Sequence, residues 1–124
     1  MLENSKFKVT IQFNDPSLDI ADRDEEARNL LAQILDIDEV LAQQVVDPNP
    51  PAEGKGIGGF LAGFLTIEFY TKNAKSIFQF LGDRLLGKVI ELEVEGNGKK
   101  LKVKASNQNE LKVAIQQAQD FINS

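Results

Sequence analysis

The sequence predicts an α+β domain, a two-layer sandwich in which a sheet of about four strands, including a C-terminal hairpin, packs against amphipathic helices. Three observations predict it. Segments with a period of two are interspersed with segments whose apolar residues recur every three or four positions. Gly96-Asn97-Gly98 separates two alternating runs and supplies the positive-φ residues of a tight turn. A length of 124 residues holds one core, so residues 1–124 form a single domain whose elements each have one apolar side to bury.

Phe7, Val9, Ile11 and Phe13 alternate with Lys8, Thr10 and Gln12, the pattern of a half-buried strand. Asn14, Asp15, Pro16 and Ser17 end it with turn formers. Asp22 and Glu25 have the spacing of a capping box and place a helix start there. Ala27, Leu30, Leu31, Ile34 and Leu35 form its apolar stripe, with Arg23, Glu26 and Gln33 on the other side. Val40 to Val46, rich in β-branched residues, reads as a second strand that stops at Asp47-Pro48.

Residues 48–59 break the pattern. Pro48, Pro50 and Pro51 are three of the four prolines, and Gly54, Gly56, Gly58, Gly59 and Gly63 are five of the nine glycines. Prolines withhold a donor and glycines admit positive φ, so this stretch is expected to be an ordered or semi-ordered loop. Phe60 to Tyr70 fits both periods. The preferred reading is a buried helix in which Gly59 and Gly63 let another element approach closely, the alternative a strand alternating Leu65, Ile67 and Phe69 against Thr66, Glu68 and Tyr70.

Ile77, Phe78, Phe80, Leu81, Leu85 and Leu86 predict a second amphipathic helix that stops at Gly87. Val89 to Val94 and Leu101 to Ala105 are the strands of the hairpin. Asn107 and Glu110 open a last helix with Leu111, Ala114, Ile115, Ala118, Phe121 and Ile122 inward. Phe80, Leu85 and Ile115 are expected core positions.

Composition excludes much chemistry. The chain has no His and no Cys, which rules out Ser-His-Asp and Cys-His nucleophiles, zinc sites of His or Cys type and disulfides built from this chain alone. A net charge of −5 and a pI near 4.7 oppose binding to a polyphosphate, so no nucleic acid is expected. Lys99, Lys100, Lys102 and Lys104 form the basic cluster, and its alternating members are expected to line the outer face of a strand beside Glu91, Glu93 and Glu95. Met1 to Lys8 lacks the apolar core of a signal peptide, and the longest uncharged run, Gly56 to Ile67, is too short to span a bilayer. The expected location is cytoplasmic, with no membrane association. The oligomeric state is open.

Two phosphate-binding patterns occur out of context. Gly54-Lys55-Gly56-Ile57-Gly58-Gly59 fits G-x-G-x-x-G, yet prolines intervene after the preceding strand and no acidic residue ends a strand at the ribose-binding distance. Gly82 to Val89 approximates a P-loop, but Val89 replaces the magnesium ligand and the stretch leads from helix to strand, the place of a helix-terminating glycine. Carboxylates are the remaining general acids. The densest group, Asp19, Asp22, Asp24, Glu25 and Glu26, sits where a helix N-terminus favours negative charge, and no calcium-loop pattern is present. No catalytic residue, metal site or cofactor is expected.

Pro50-Pro51, the turn Gly56-Ile57-Gly58-Gly59, the apolar segment Phe60 to Phe69, a helix ending in Phe80-Leu81, then a hairpin and terminal helix: this order resembles the effector-associated constant component family over residues 7–122. The family often has Trp-Leu followed by basic residues where this chain has Phe80-Leu81-Gly82-Asp83-Arg84. The resemblance implies a small α+β, non-enzymatic adaptor in prokaryotic conflict or signalling systems, whose partner is a protein such as a peptidase-like effector or its sensor. If the chain is an adaptor, the long loop is its expected recognition element, with Pro50, Pro51, Gly54, Lys55 and Gly56 as interaction residues. The alternative is a small-ligand or nucleotide-binding domain using the Gly54 to Gly59 loop.

Overall fold

Phe7, Val9, Ile11 and Phe13 are buried and the residues between them are not, as the period of two requires. In this computed structural model, residues 5–37, 40–46, 56–57 and 60–123 are described. They form β1 (Lys6–Phe13), α1 (Ile20–Ile34), β2 (Leu41–Val46), β3 (Gly56–Ile57), β4 (Phe60–Tyr70), α2 (Ala74–Arg84), β5 (Ile90–Gly96), β6 (Lys99–Ala105) and α3 (Gln108–Asn123). Thr71–Asn73 is a short 3-10 turn before α2.

Five strands make an antiparallel sheet in the order β2-β4-β1-β5-β6, and the two-residue β3 adds to β4. This is one strand more than the sequence suggests, because Phe60–Tyr70 is a strand and not a helix. Tertiary context decides between the two periods. Leu65, Ile67 and Phe69 pair with Ile11, Val9 and Phe7 on β1, and Ala42 and Gln44 on β2 hold the opposite edge. The segment thus lies centrally in the sheet, where alternating aromatic and branched residues bury one face. With β4 in place, β1-α1-β2 and β4-α2-β5 are two interleaved split β-α-β units, the ferredoxin-like connectivity, to which β6 and α3 are appended.

The inward sheet residues join Ala27, Leu30 and Ile34 of α1, Ile77, Phe78 and Leu81 of α2 and Leu111, Ala114, Ala118 and Ile122 of α3 in one core. Phe69 and Phe78 meet edge to face, with centroids 6.0 Å apart at 87°. Leu85 is buried as expected, whereas Phe80 and Ile115 are only partly buried against the core. The Arg84 guanidinium lies 4.9 Å over the Phe80 ring and covers part of this partly buried aromatic.

Two helix starts show different outcomes. α1 begins three residues before the expected box: Asp19 is its N-cap, with Oδ1 accepting from the Asp22 amide at 2.8 Å. At α3, Asn107 Oδ1 accepts from Glu110 N at 2.9 Å and Glu110 Oε1 accepts from Ser106 N at 2.7 Å, a reciprocal cap close to the expected one. The hairpin turn has φ of 53° at Asn97 and 76° at Gly98, the left-handed pair of a type I′ turn. On its outer face Glu91, Glu93 and Glu95 stand opposite Lys104, Lys102 and Lys100, and Lys100 Nζ lies 3.1 Å from Glu93 and 3.7 Å from Glu95. Gly96, at the end of β5, lies directly beneath the buried Phe7 ring, whose atoms occupy the place a Cβ would take.

Candidate interaction site

The loop singled out by its prolines and glycines departs from β2 and returns through β3. Pro50, Pro51, Gly54 and Lys55 lie outside the described residues. Gly56 opens β3 and pairs with Leu61, so the end of the expected loop is a strand and Gly56-Ile57 belongs to a small hairpin with β4. Val46 and Ile57 both pair with Phe60, which places them on opposite edges of β4. The connection from Val46 to Gly56 therefore links one side of β4 to the other.

β4 is irregular at this base. Its register with β2 passes from Gln44↔Leu65 to Val46↔Phe60, so Val45 alone faces a longer excursion of β4. Gly63 sits in that excursion with φ of 82°. A Cβ there would meet the Phe13 carbonyl oxygen at 3.0 Å and Arg23 Cβ at 3.2 Å. The close approach assigned to Gly63 from the sequence is present, made by a bulged strand in place of a helix.

A buried carboxylate holds the bulge. Asp24, on α1, is 2% exposed and is the buried charged residue among those described. Its Oδ1 accepts from the Gly63 amide and from Gln44 Nε2, each at 3.2 Å, and its Oδ2 accepts from Arg28 Nε at 3.0 Å. One side chain thus ties α1, β2 and the start of β4 together, and a carboxylate with several donors offsets its desolvation in this way. By sequence alone Asp24 belongs to an acidic cluster at a helix N-terminus, where the dipole favours its charge. The signal that would have found it is its spacing: Asp24, Ala27, Leu31 and Ile34 fall on one helical stripe.

The neighbouring turn is held as firmly. Arg23 Nε donates to the carbonyls of Asp15 and Leu18 at 3.0 Å each. Ser17 donates to Asp15 Oδ1 from its amide at 2.9 Å and its hydroxyl at 2.7 Å, and these bonds hold the Asp15 carboxyl below the usual aspartate range. The rest of the acidic cluster divides: Asp19 caps α1, and Glu26 pairs with Lys88 at 2.8 Å.

Neither phosphate motif has its required setting. β3 feeds into the strand β4, with no helix N-terminus after Gly54 to Gly59 to meet a pyrophosphate. The P-loop-like stretch runs from α2 into β5, with Gly87 at φ of 78° after the helix. Among the described residues no group of three Asp or Glu could hold a metal ion, and no helix is long and apolar enough to cross a membrane. What fold and site define is an α+β domain in which one buried carboxylate joins α1, β2 and the bulged start of β4. No family model, curated protein or solved structure matches the chain.

Proposed function

We propose that the chain is a non-enzymatic adaptor of the cytoplasm, a two-layer interaction module that joins a peptidase-like effector to its sensor in a prokaryotic conflict or signalling system, with the 48–59 connection as its recognition element. The observation that carries this reading is Asp24. The one buried charge among the described residues anchors β2, from which the connection departs, and the bulged start of β4, against which β3 pairs on the connection's return. A pinned base lowers the entropy a loop loses on binding, and prolines within it act in the same direction. The resemblance of Pro50-Pro51 and the glycine turn to the effector-associated constant component supplies the system and the partner class. The lack of His and Cys in the sequence supports a role without catalysis.

The test replaces residues 49–55 with a Gly-Ser linker of equal length. With folding checked by circular dichroism, the parent chain is expected to retain a peptidase-like partner or its sensor from a cell extract and the linker variant to lose it. Equal affinity of the two for the same purified partner would refute the recognition role. Saturable nucleotide binding by the parent, abolished in the linker variant, would favour the ligand-binding alternative instead.

A further inference from the structure

On its outward face α2 goes against helix stability at three positions. Lys75 lies in the first turn and Asp83 in the last, each at the end where the helix dipole disfavours its charge. Gly82 sits within the helix, where glycine is a poorer choice than alanine. Nothing around it asks for glycine. Its φ is not positive, and no atom among the described residues lies within 4 Å of where a Cβ would stand. With Ser76 and Gln79, these residues cover about 120° of the helix surface, and Gln79 is at the centre.

This face borders a groove of about 600 Å³ between α2 and α3, whose walls include the buried Phe78 and the partly buried Ile115. Among the described residues neither Lys75 nor Asp83 has an ion-pair partner, whereas Lys8 and Lys100 on the sheet pair with Glu95 and Glu93. The charges are also placed symmetrically. Gln79 lies midway between Lys75 and Asp83, so a two-fold axis crossing α2 at Gln79 exchanges the ends that carry the two charges.

We infer that this face of α2 binds a second copy of the chain, in an antiparallel helix pair centred on Gln79. Lys75 of each copy meets Asp83 of the other, so charges that each helix disfavours in isolation are neutralised across the interface. The Lys75 stem crosses Gly82, where a side chain would block it, and Ser76 comes beside the same carboxylate. The groove takes the second helix against Phe78 and Ile115. A helix of another protein would have to carry this charge order in reverse, whereas a second copy supplies it by symmetry. The inference goes beyond the adaptor reading and stands without it.

Sedimentation velocity of the full-length chain over rising concentration is expected to show a monomer to dimer equilibrium that weakens as salt screens the two charge pairs. Lys75→Asp or Asp83→Lys alone is expected to weaken the dimer about tenfold or more, and the two together to restore it to within about threefold of the parent. Gly82→Gln is expected to weaken it by about tenfold while raising the urea midpoint of the dilute, monomeric chain, because glutamine is the better helix former. These opposite signs separate an interface role from a structural one. The sequence has no cysteine, so Gln79→Cys reports the axis: on air oxidation it should form a disulfide-linked dimer, and Val113→Cys, exposed on α3, should lag far behind. A chain that stays monomeric at its highest soluble concentration overturns the inference, as does a dimer that the charge reversals and Gly82→Gln leave intact. A monomeric parent that binds a different purified protein through this face, with binding lost in Gly82→Gln, overturns it in favour of that protein.

Discussion

Asp24→Ala tests whether the buried carboxylate holds the base of the connection. The substitution removes an acceptor from three donors. The Gly63 amide, in a buried bond at 3.2 Å, has no water to turn to, and an unpaired buried donor costs about 1–3 kcal/mol. Arg28 is 58% exposed and rehydrates, so its pair contributes no more than about 1 kcal/mol. The half-buried Gln44 amide falls between them. Alanine's better helix propensity returns about 0.5 kcal/mol, which leaves an expected net loss of about 1–5 kcal/mol. Urea denaturation measures it, with the exposed Glu25→Ala as a control expected to stay within about 0.5 kcal/mol. Asp24→Asn keeps an oxygen for Gly63 but turns an amide donor toward Arg28, so it should fall between Ala and the parent. Hydrogen exchange at the Gly63 amide should quicken in the Ala variant. An unchanged midpoint together with unchanged Gly63 protection would refute the reasoning and return Asp24 to the role of one more acid near a helix start.

Three further outcomes are expected. Phe78→Ala, at a fully buried ring in edge contact with Phe69, should cost about 3–5 kcal/mol, whereas Phe80→Ala, partly buried under Arg84, should cost about 1–2 kcal/mol; equal midpoints would show that α2 faces the other way. Gly98→Ala, with open space around a Cβ, should lose only the about 1–2 kcal/mol of a left-handed backbone, and Gly63→Ala should lose more because its Cβ also meets the Phe13 carbonyl. For Asp15, a folded-state value below the unfolded one gives stability that is present above the usual aspartate range and lost as pH falls through the lowered value. Ser17→Ala removes the hydroxyl donor while leaving the backbone one, so a carboxyl-carbon NMR titration should find Asp15 closer to its ordinary value.

The strands with a clean period of two and the elements with recognisable ends were legible in the residues. β1, the Asn97-Gly98 turn and the start of α3 all rest on local chemistry: side-chain alternation, positive φ and a reciprocal cap. β4 was not, because its residues satisfy both periods and only pairing with β1 and β2 on its two edges selects the strand. Asp24 was hidden for a related reason. Its acidic neighbours Asp22, Glu25 and Glu26 make it look like one of a group stabilised by a helix N-terminus, and its burial depends on Gly63 and Gln44, 39 and 20 residues away. Asp19 displaced the expected box at Asp22 because both can cap, and the turn held by Arg23 decides where the chain enters the helix. Of the candidate interaction residues, Gly56 is found in a strand pair, and Pro50, Pro51, Gly54 and Lys55 fall outside the described residues.

Gly96 beneath the Phe7 ring limits how the chain can find its pairing. Sliding β5 by one residue against β1 turns Leu92 and Val94 to the outer face and Glu93 and Glu95 inward, which the core rejects. Sliding by two preserves the faces, and the ring then discriminates. In one direction it meets the branched side chain of Val94 where there is room only for a hydrogen. In the other it passes beyond β5 onto the Asn97-Gly98 turn. The missing side chain therefore acts as a keyhole: it rejects the misregistered sheets that hydrophobic patterning alone would accept, and a larger residue at this position would trade a single alignment for several that compete during folding.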